Sequence, residues 1–132
     1  MAEDFTVREW QDVRVLEYSS TGPQLGNAAA SLEMIGAARV QNAEWIAIPI
    51  ERLGEDFFNL RNGVAGEVLQ KFVTYQIRVA IVGETSLLNP SKALRDFVIE
   101  CNRGATQWFV SSMDELKDRL RRETCPAKDR QQ

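Results

Sequence analysis

The chain has 132 residues, 44% hydrophobic and 27% charged, and carries a formal charge of −3 with no histidine. That length and composition suit one globular domain with a buried core. The acidic balance, with no Lys/Arg cluster interleaved with aromatics, argues against nucleic acid as a partner. No apolar run approaches the ~20 residues of a membrane span, and the acidic start Met1-Ala2-Glu3-Asp4 lacks the basic and apolar stretches of a secretory leader. A cytoplasmic location without membrane contact is therefore expected.

Residues Phe5 to Trp10 and Val13 to Tyr18 alternate apolar and polar across a short break, the pattern of a β-hairpin with one face buried. Gly22-Pro23 breaks the loop that follows. Asn27 predicts a helix cap, because its side-chain oxygen can accept from a first-turn amide; Ala28, Leu32, Ile35 and Ala38 then form an apolar stripe. The run Trp45-Ile46-Ala47-Ile48, closed by Pro49, reads as a strand buried on both faces. After Asn62-Gly63, the residues Ala65, Val68, Leu69, Phe72 and Val73 share one helical face. This second helix feeds a core strand over 77–82.

Asn89-Pro90 predicts the start of a third helix, with Asn as cap and Pro in the first turn. Leu94, Phe97, Val98 and Cys101 make its buried face, and Gly104 is expected to end it in a left-handed conformation. Gln107 to Val110 is a last short strand. Ser112 with Glu115 predicts a capping box for a final helix packed through Leu116 and Leu120. Residues 121–132 are polar, lack periodicity and are expected to form a disordered tail behind a single domain over 1–120. The order ββαβαβαβα implies an α/β fold: one mixed, mostly parallel sheet of about five strands with four helices.

Most enzyme chemistries find no residues here. Without histidine, the usual base of Ser and Cys hydrolases and the commonest zinc ligand are missing. Cys101 and Cys125 match no zinc spacing; both are expected as free thiols, with a disulfide between them the alternative. The glycines of Gly63-Val64-Ala65-Gly66 resemble a nucleotide-binding turn, but fit neither the dinucleotide nor the Walker pattern. Gly66 is better read as a helix position that permits close packing on the sheet. No cofactor and no metal site is expected.

Two groups of residues remain as candidate binding positions. One is Asp56, Phe57, Phe58, Arg61 and Asn62, after the first core strand; two adjacent aromatics cannot both face one core, so one belongs to a pocket or interface. The other is Glu67, Gln70 and Lys71 on the second helix with Tyr75, Glu100 and Asn102, which would need to converge for acid/base work. Glu67 and Lys71, spaced i, i+4, read more simply as a solvated ion pair.

The stretches Asp56-Phe57-Phe58-Asn59-Leu60, Gly63 to Phe72 with Tyr75, Ala80-Ile81-Val82-Gly83 and Glu100-Cys101-Asn102-Arg103-Gly104 resemble the bacterial domain-of-unknown-function family 4180, over roughly Phe5 to Leu120. The last helix of such proteins often closes with a Trp-Leu pair, whereas Arg119 precedes Leu120 here. The element order also looks like that of STAS domains (sulphate transporter and anti-sigma-factor antagonist). In those, the loop entering the second helix carries a phosphorylatable Ser or Thr. Residues 51–66 contain neither, so the resemblance implies a domain of that shape without the phosphoswitch. The combined expectation is a non-enzymatic regulatory or interaction module. Its partner would be another protein, a second copy of itself or a small molecule, bound at the loops beyond the carboxyl ends of the strands, including Gly83 and Glu84.

Overall fold

A computed structural model describes residues 4–10, 12–88 and 90–124. Alternating side chains pair β1 (Phe5–Trp10) antiparallel with β2 (Val13–Tyr18), Phe5 opposite Tyr18 and Trp10 opposite Val13. Asn27 caps α1 (Ala28–Val40), its Oδ1 accepting from the Ala30 amide at 2.8 Å. The chain continues through β3 (Trp45–Pro49), α2 (Gly54–Phe58), α3 (Val64–Thr74), β4 (Arg78–Val82), α4 (Lys92–Arg103), β5 (Gln107–Val110) and α5 (Met113–Thr124).

The five strands form one sheet in the order β1-β2-β3-β4-β5; β2 to β5 are parallel and β1 is the antiparallel edge. Crossovers between parallel strands are almost always right-handed. Stepping always in the same direction, they bring every connecting helix to one face. The core follows that logic. Leu16, Ile46, Ile48, Val79, Ile81 and Phe109 on one sheet face meet Met34 and Ile35 of α1, Phe57 of α2, Val68 and Phe72 of α3 and Phe97 of α4. On the opposite face, Val13, Val15, Trp45, Ala47, Ala80, Trp108 and Val110 are covered by α5 through Leu116 and Leu120, with Met113 packed against them.

The α/β fold with one mixed five-strand sheet matches the sequence expectation, but several details do not. A fifth helix, α2, occupies the stretch after β3 where none was expected. In α1 the buried residues are Ser31, Met34, Ile35 and Ala38, while Leu32 is 44% exposed. Ser31 is accommodated because its hydroxyl donates to the Ala28 carbonyl at 2.6 Å. Val73 likewise faces outward. Gly66 does not approach the sheet: it is exposed, and nothing lies within 4 Å of where a Cβ would stand.

Helix α4 begins at Lys92 with Ser91 as its cap, the Ser91 hydroxyl accepting from the Leu94 amide at 3.1 Å. Pro90 therefore precedes the cap instead of opening the helix, and Asn89 lies outside the described residues. Gly104 ends α4 in an extended conformation, φ −88° and ψ −169°, not a left-handed one. The capping box at α5 is only half formed. Ser112 Oγ accepts from the Glu115 amide, but Glu115 Oε1 accepts from the amide and hydroxyl of Ser111 at 2.6 and 2.8 Å. Helix α5 runs on to Thr124, past residue 121 where the polar tail was expected to begin.

Candidate functional site

The segment between β3 and α3 builds one side of a groove among the described residues. Its anchor is Arg52, 1% exposed, in the short turn after β3. The Arg52 guanidinium donates to the Pro23 and Ser19 carbonyls and to Asp4 Oδ2, each at 2.7 Å. A buried guanidinium is tolerable only when so satisfied, and here it ties Asp4, just before β1, and the loop after β2 to one corner.

Gly54, at φ 82°, then turns the chain into α2. Phe57 inserts fully into the core, whereas Phe58 stays half-buried, the two rings meeting edge-on at 5.2 Å and 78°. Asn59 Oδ1 accepts from the Arg61 amide, and Asn62 holds the corner twice: its Nδ2 donates to the Asp56 carbonyl at 3.1 Å and its Oδ1 accepts from the Val64 amide at 2.9 Å. Gly63 at φ 78° supplies the left-handed residue that lets α3 begin immediately afterwards.

Facing this corner is the start of α4. Between them lies a groove of about 760 Å³ whose walls include Ile50, Phe58, Leu60, Leu88 and Leu94, with Glu51, Glu55 and Arg61 at its margin. Predominantly apolar walls with a few polar groups, at several hundred cubic ångströms, are what small-molecule and peptide sites present. Arg61 is exposed and its guanidinium makes no ion pair among the described residues. It is therefore available to a charged group entering the groove.

The first candidate set is thus brought together, with its roles divided. Phe58 and Arg61 line the groove; Phe57 supports it from the core; Asn62 and the Asp56 carbonyl fix its corner. The second set does not converge. Gln70 bonds Thr74 of its own helix, Glu100 pairs with Arg103 at 3.5 Å, and the Asn102 side chain accepts from the Phe109 amide at 2.7 Å. Glu67 is exposed and forms no ion pair with Lys71 among the described residues. Tyr75 is 41% exposed, with the Arg39 guanidinium 5.9 Å from its ring centre. Of the remaining rim residues, Gly83 lines a different cleft and Glu84 is exposed.

Sequence reasoning missed the far wall. Leu88, Ser91 and Leu94 line it; Leu94 was expected only as a buried helix position, and Ser91, three residues earlier, carried a legible signal as a helix cap. Cys101 is half-buried beside this helical layer, and its thiol is pushed up to about 11 by burial and secondarily by Glu100. That makes it inert as a nucleophile near neutral pH. Its alternative partner, Cys125, lies outside the described residues. Among those residues no helix is long and apolar enough to cross a membrane, and no three Asp, Glu or Cys side chains are grouped to hold a metal ion.

Comparison with curated proteins and with solved structures produced no match. A family model does match, over residues 10–120, which takes in every strand but most of β1 and all the walls of the groove; the chain belongs to the family described as domain of unknown function DUF4180.

Proposed function

We propose that this protein is a bacterial cytoplasmic regulatory or interaction module, non-enzymatic and STAS-like in fold, that recognises its partner or ligand in the groove between α2 and α4. The observation that carries the reading is the groove itself: about 760 Å³, apolar in its walls, with Arg61 at its edge making no ion pair among the described residues. Such a site binds through buried apolar area oriented by few polar contacts. Residues 51–66 contain no Ser or Thr, so regulation would come from occupancy of the groove, not from phosphorylation of that loop. The alternative of an acid/base enzyme on α3 and α4 draws no support from the geometry, because Gln70, Glu100 and Asn102 are engaged elsewhere.

An apolar anionic dye, 1-anilinonaphthalene-8-sulfonate, tests the site. The native protein should enhance its fluorescence. Phe58→Ala should reduce the enhancement severalfold by removing an apolar wall, and Arg61→Ala should weaken the dye's affinity with a smaller change in maximum signal. Phe57→Ala is the wrong probe, since Phe57 is core. Equal dye binding by the native protein and both variants would overturn the assignment.

A further inference from the structure

We propose that β1 is a self-pairing edge: two copies of this chain join through antiparallel β1 strands about a two-fold axis at Val7, making one continuous sheet. The sheet has two edges, β1 and β5, and the fold treats them differently. At β5 the outward amide of Phe109 is taken up within the chain, donating to Asn102 Oδ1 at 2.7 Å. At β1 no side chain among the described residues does the same for the outward backbone groups.

The register of β1 on β2 identifies those groups. The Ser19 amide donates to the Asp4 carbonyl at 2.8 Å, one step beyond the Phe5–Tyr18 pair. Bonded and non-bonded pairs alternate in an antiparallel ladder, so Thr6–Glu17, Arg8–Val15 and Trp10–Val13 are the bonded ones. Phe5, Val7 and Glu9 therefore turn their amides and carbonyls outward. Such an open row recruits another strand unless proline, a bulge, lysine or a very short strand blunts it. The edge here is six residues in unbroken register, with neither proline nor lysine.

A second copy fits this row. With the axis at Val7, Val7 faces the partner's Val7 and Phe5 faces the partner's Glu9, so every outward residue of both strands is bonded, with about two hydrogen bonds per pair. Moving the axis to Thr6 or Arg8 keeps only two of these three pairs within β1, and an axis at Arg8 opposes it to the partner's Arg8. In the Val7 register Arg8 faces the partner's Thr6 instead. Arg8 also bonds Glu17 at 2.7 Å and Arg14 lies 3.5 Å from Glu9, so both charges on the edge are compensated within their own chain. Val7, apolar and 39% exposed, is covered at the axis by its counterpart about 5 Å away. A contact of one strand is small, so the dimer is transient and depends on concentration.

Sedimentation velocity of the full chain tests this from about 10 μM to about 1 mM, the range in which small transient interfaces associate. The average mass should rise from that of one chain toward that of two. Val7→Lys sets two ammonium groups together at the axis, and Val7→Pro removes the outward amide there while leaving every bonded β1–β2 pair in place. Both variants should remain monomeric throughout, with circular dichroism verifying that they fold. Amide hydrogen exchange on the native chain gives a readout that needs no variant. Raising the concentration should slow exchange severalfold at Phe5, Val7 and Glu9, and by less at Thr6, Arg8 and Trp10, whose amides are already bonded in the monomer. A native chain that stays monomeric at the highest concentration, self-association retained by Val7→Lys, or equal slowing in the two sets of amides would each overturn the proposal.

Discussion

Arg52 organises more of this molecule than its place in the sequence suggests. An arginine in a polar, loop-like stretch reads as a surface charge, and nothing in its neighbours marks it as 1% exposed. What makes burial tolerable is tertiary: two carbonyls from the loop after β2 and the carboxylate of Asp4, none of them local. Arg52→Met keeps the aliphatic bulk but leaves the Ser19 and Pro23 carbonyls without their donor. Ser19 and Pro23 are themselves exposed, so water can reach the freed carbonyls and the loss is that of the hydrogen bonds, about 0.5–1.5 kcal/mol each. Urea denaturation should show a loss of about 1–3 kcal/mol. Asp4→Asn should cost less, because Asp4 is 41% exposed and the guanidinium would keep both carbonyls. The reverse ranking would mean that the ion pair, not the carbonyls, holds the corner.

Among the described elements, α5 stands apart as the helix that covers the second face of the sheet. Leu116 and Leu120 press on a layer in which the rings of Trp45 and Trp108 stand 4.6 Å apart. Arg78 lies 4.4 Å over Trp45, and Arg119 lies 3.8 Å over Trp108. Arg119 also donates to the Asn102 carbonyl, so the position before Leu120 is filled by a planar cation stacked on a ring. Leu116→Ala should cost about 2–5 kcal/mol by opening a cavity in this layer, with a red shift of tryptophan emission as water reaches the rings. Leu32→Ala, outward on α1, should stay within about 0.5 kcal/mol of the native protein. Comparable losses in the two would contradict the burial assigned to each helix. The contrast also marks what the sequence could convey. Strong periodicity placed α3, α4 and α5. In α1 an Ala-rich segment gave no sharp apolar stripe, and a serine that bonds its own backbone took the inward position expected of Leu32. Helix α2, at five residues, is too short for periodicity to reveal, and with it half the groove's geometry stayed hidden although Phe58 and Arg61 were already suspect.

At the scale of the whole molecule, the sequential strand order stacks four helices on one face, and two ionisable groups lie within that layer. Tyr18 is pushed up to about 12, chiefly by burial and next by Asp4, and Cys101 to about 11, chiefly by burial and next by Glu100. Both groups are held neutral by the fold more firmly than in the unfolded chain, where they would ionise near 10 and 9. The sign follows from linkage: a raised folded pKa contributes stability that is complete below the unfolded value and is lost as pH rises through the folded one. With no histidine in the chain, no imbalance from an imidazole tilts the curve near neutrality. Melting temperature should therefore change little from pH 6.5 to 8.5 and decline above pH 9. The decline should divide by residue: Cys101→Ala should flatten it between pH 9 and 11, and Tyr18→Phe between pH 10 and 12, each relative to the native protein. Curves that run parallel to the native one throughout would show that neither group is desolvated on folding. The helical layer would then be more open to water than its packing implies.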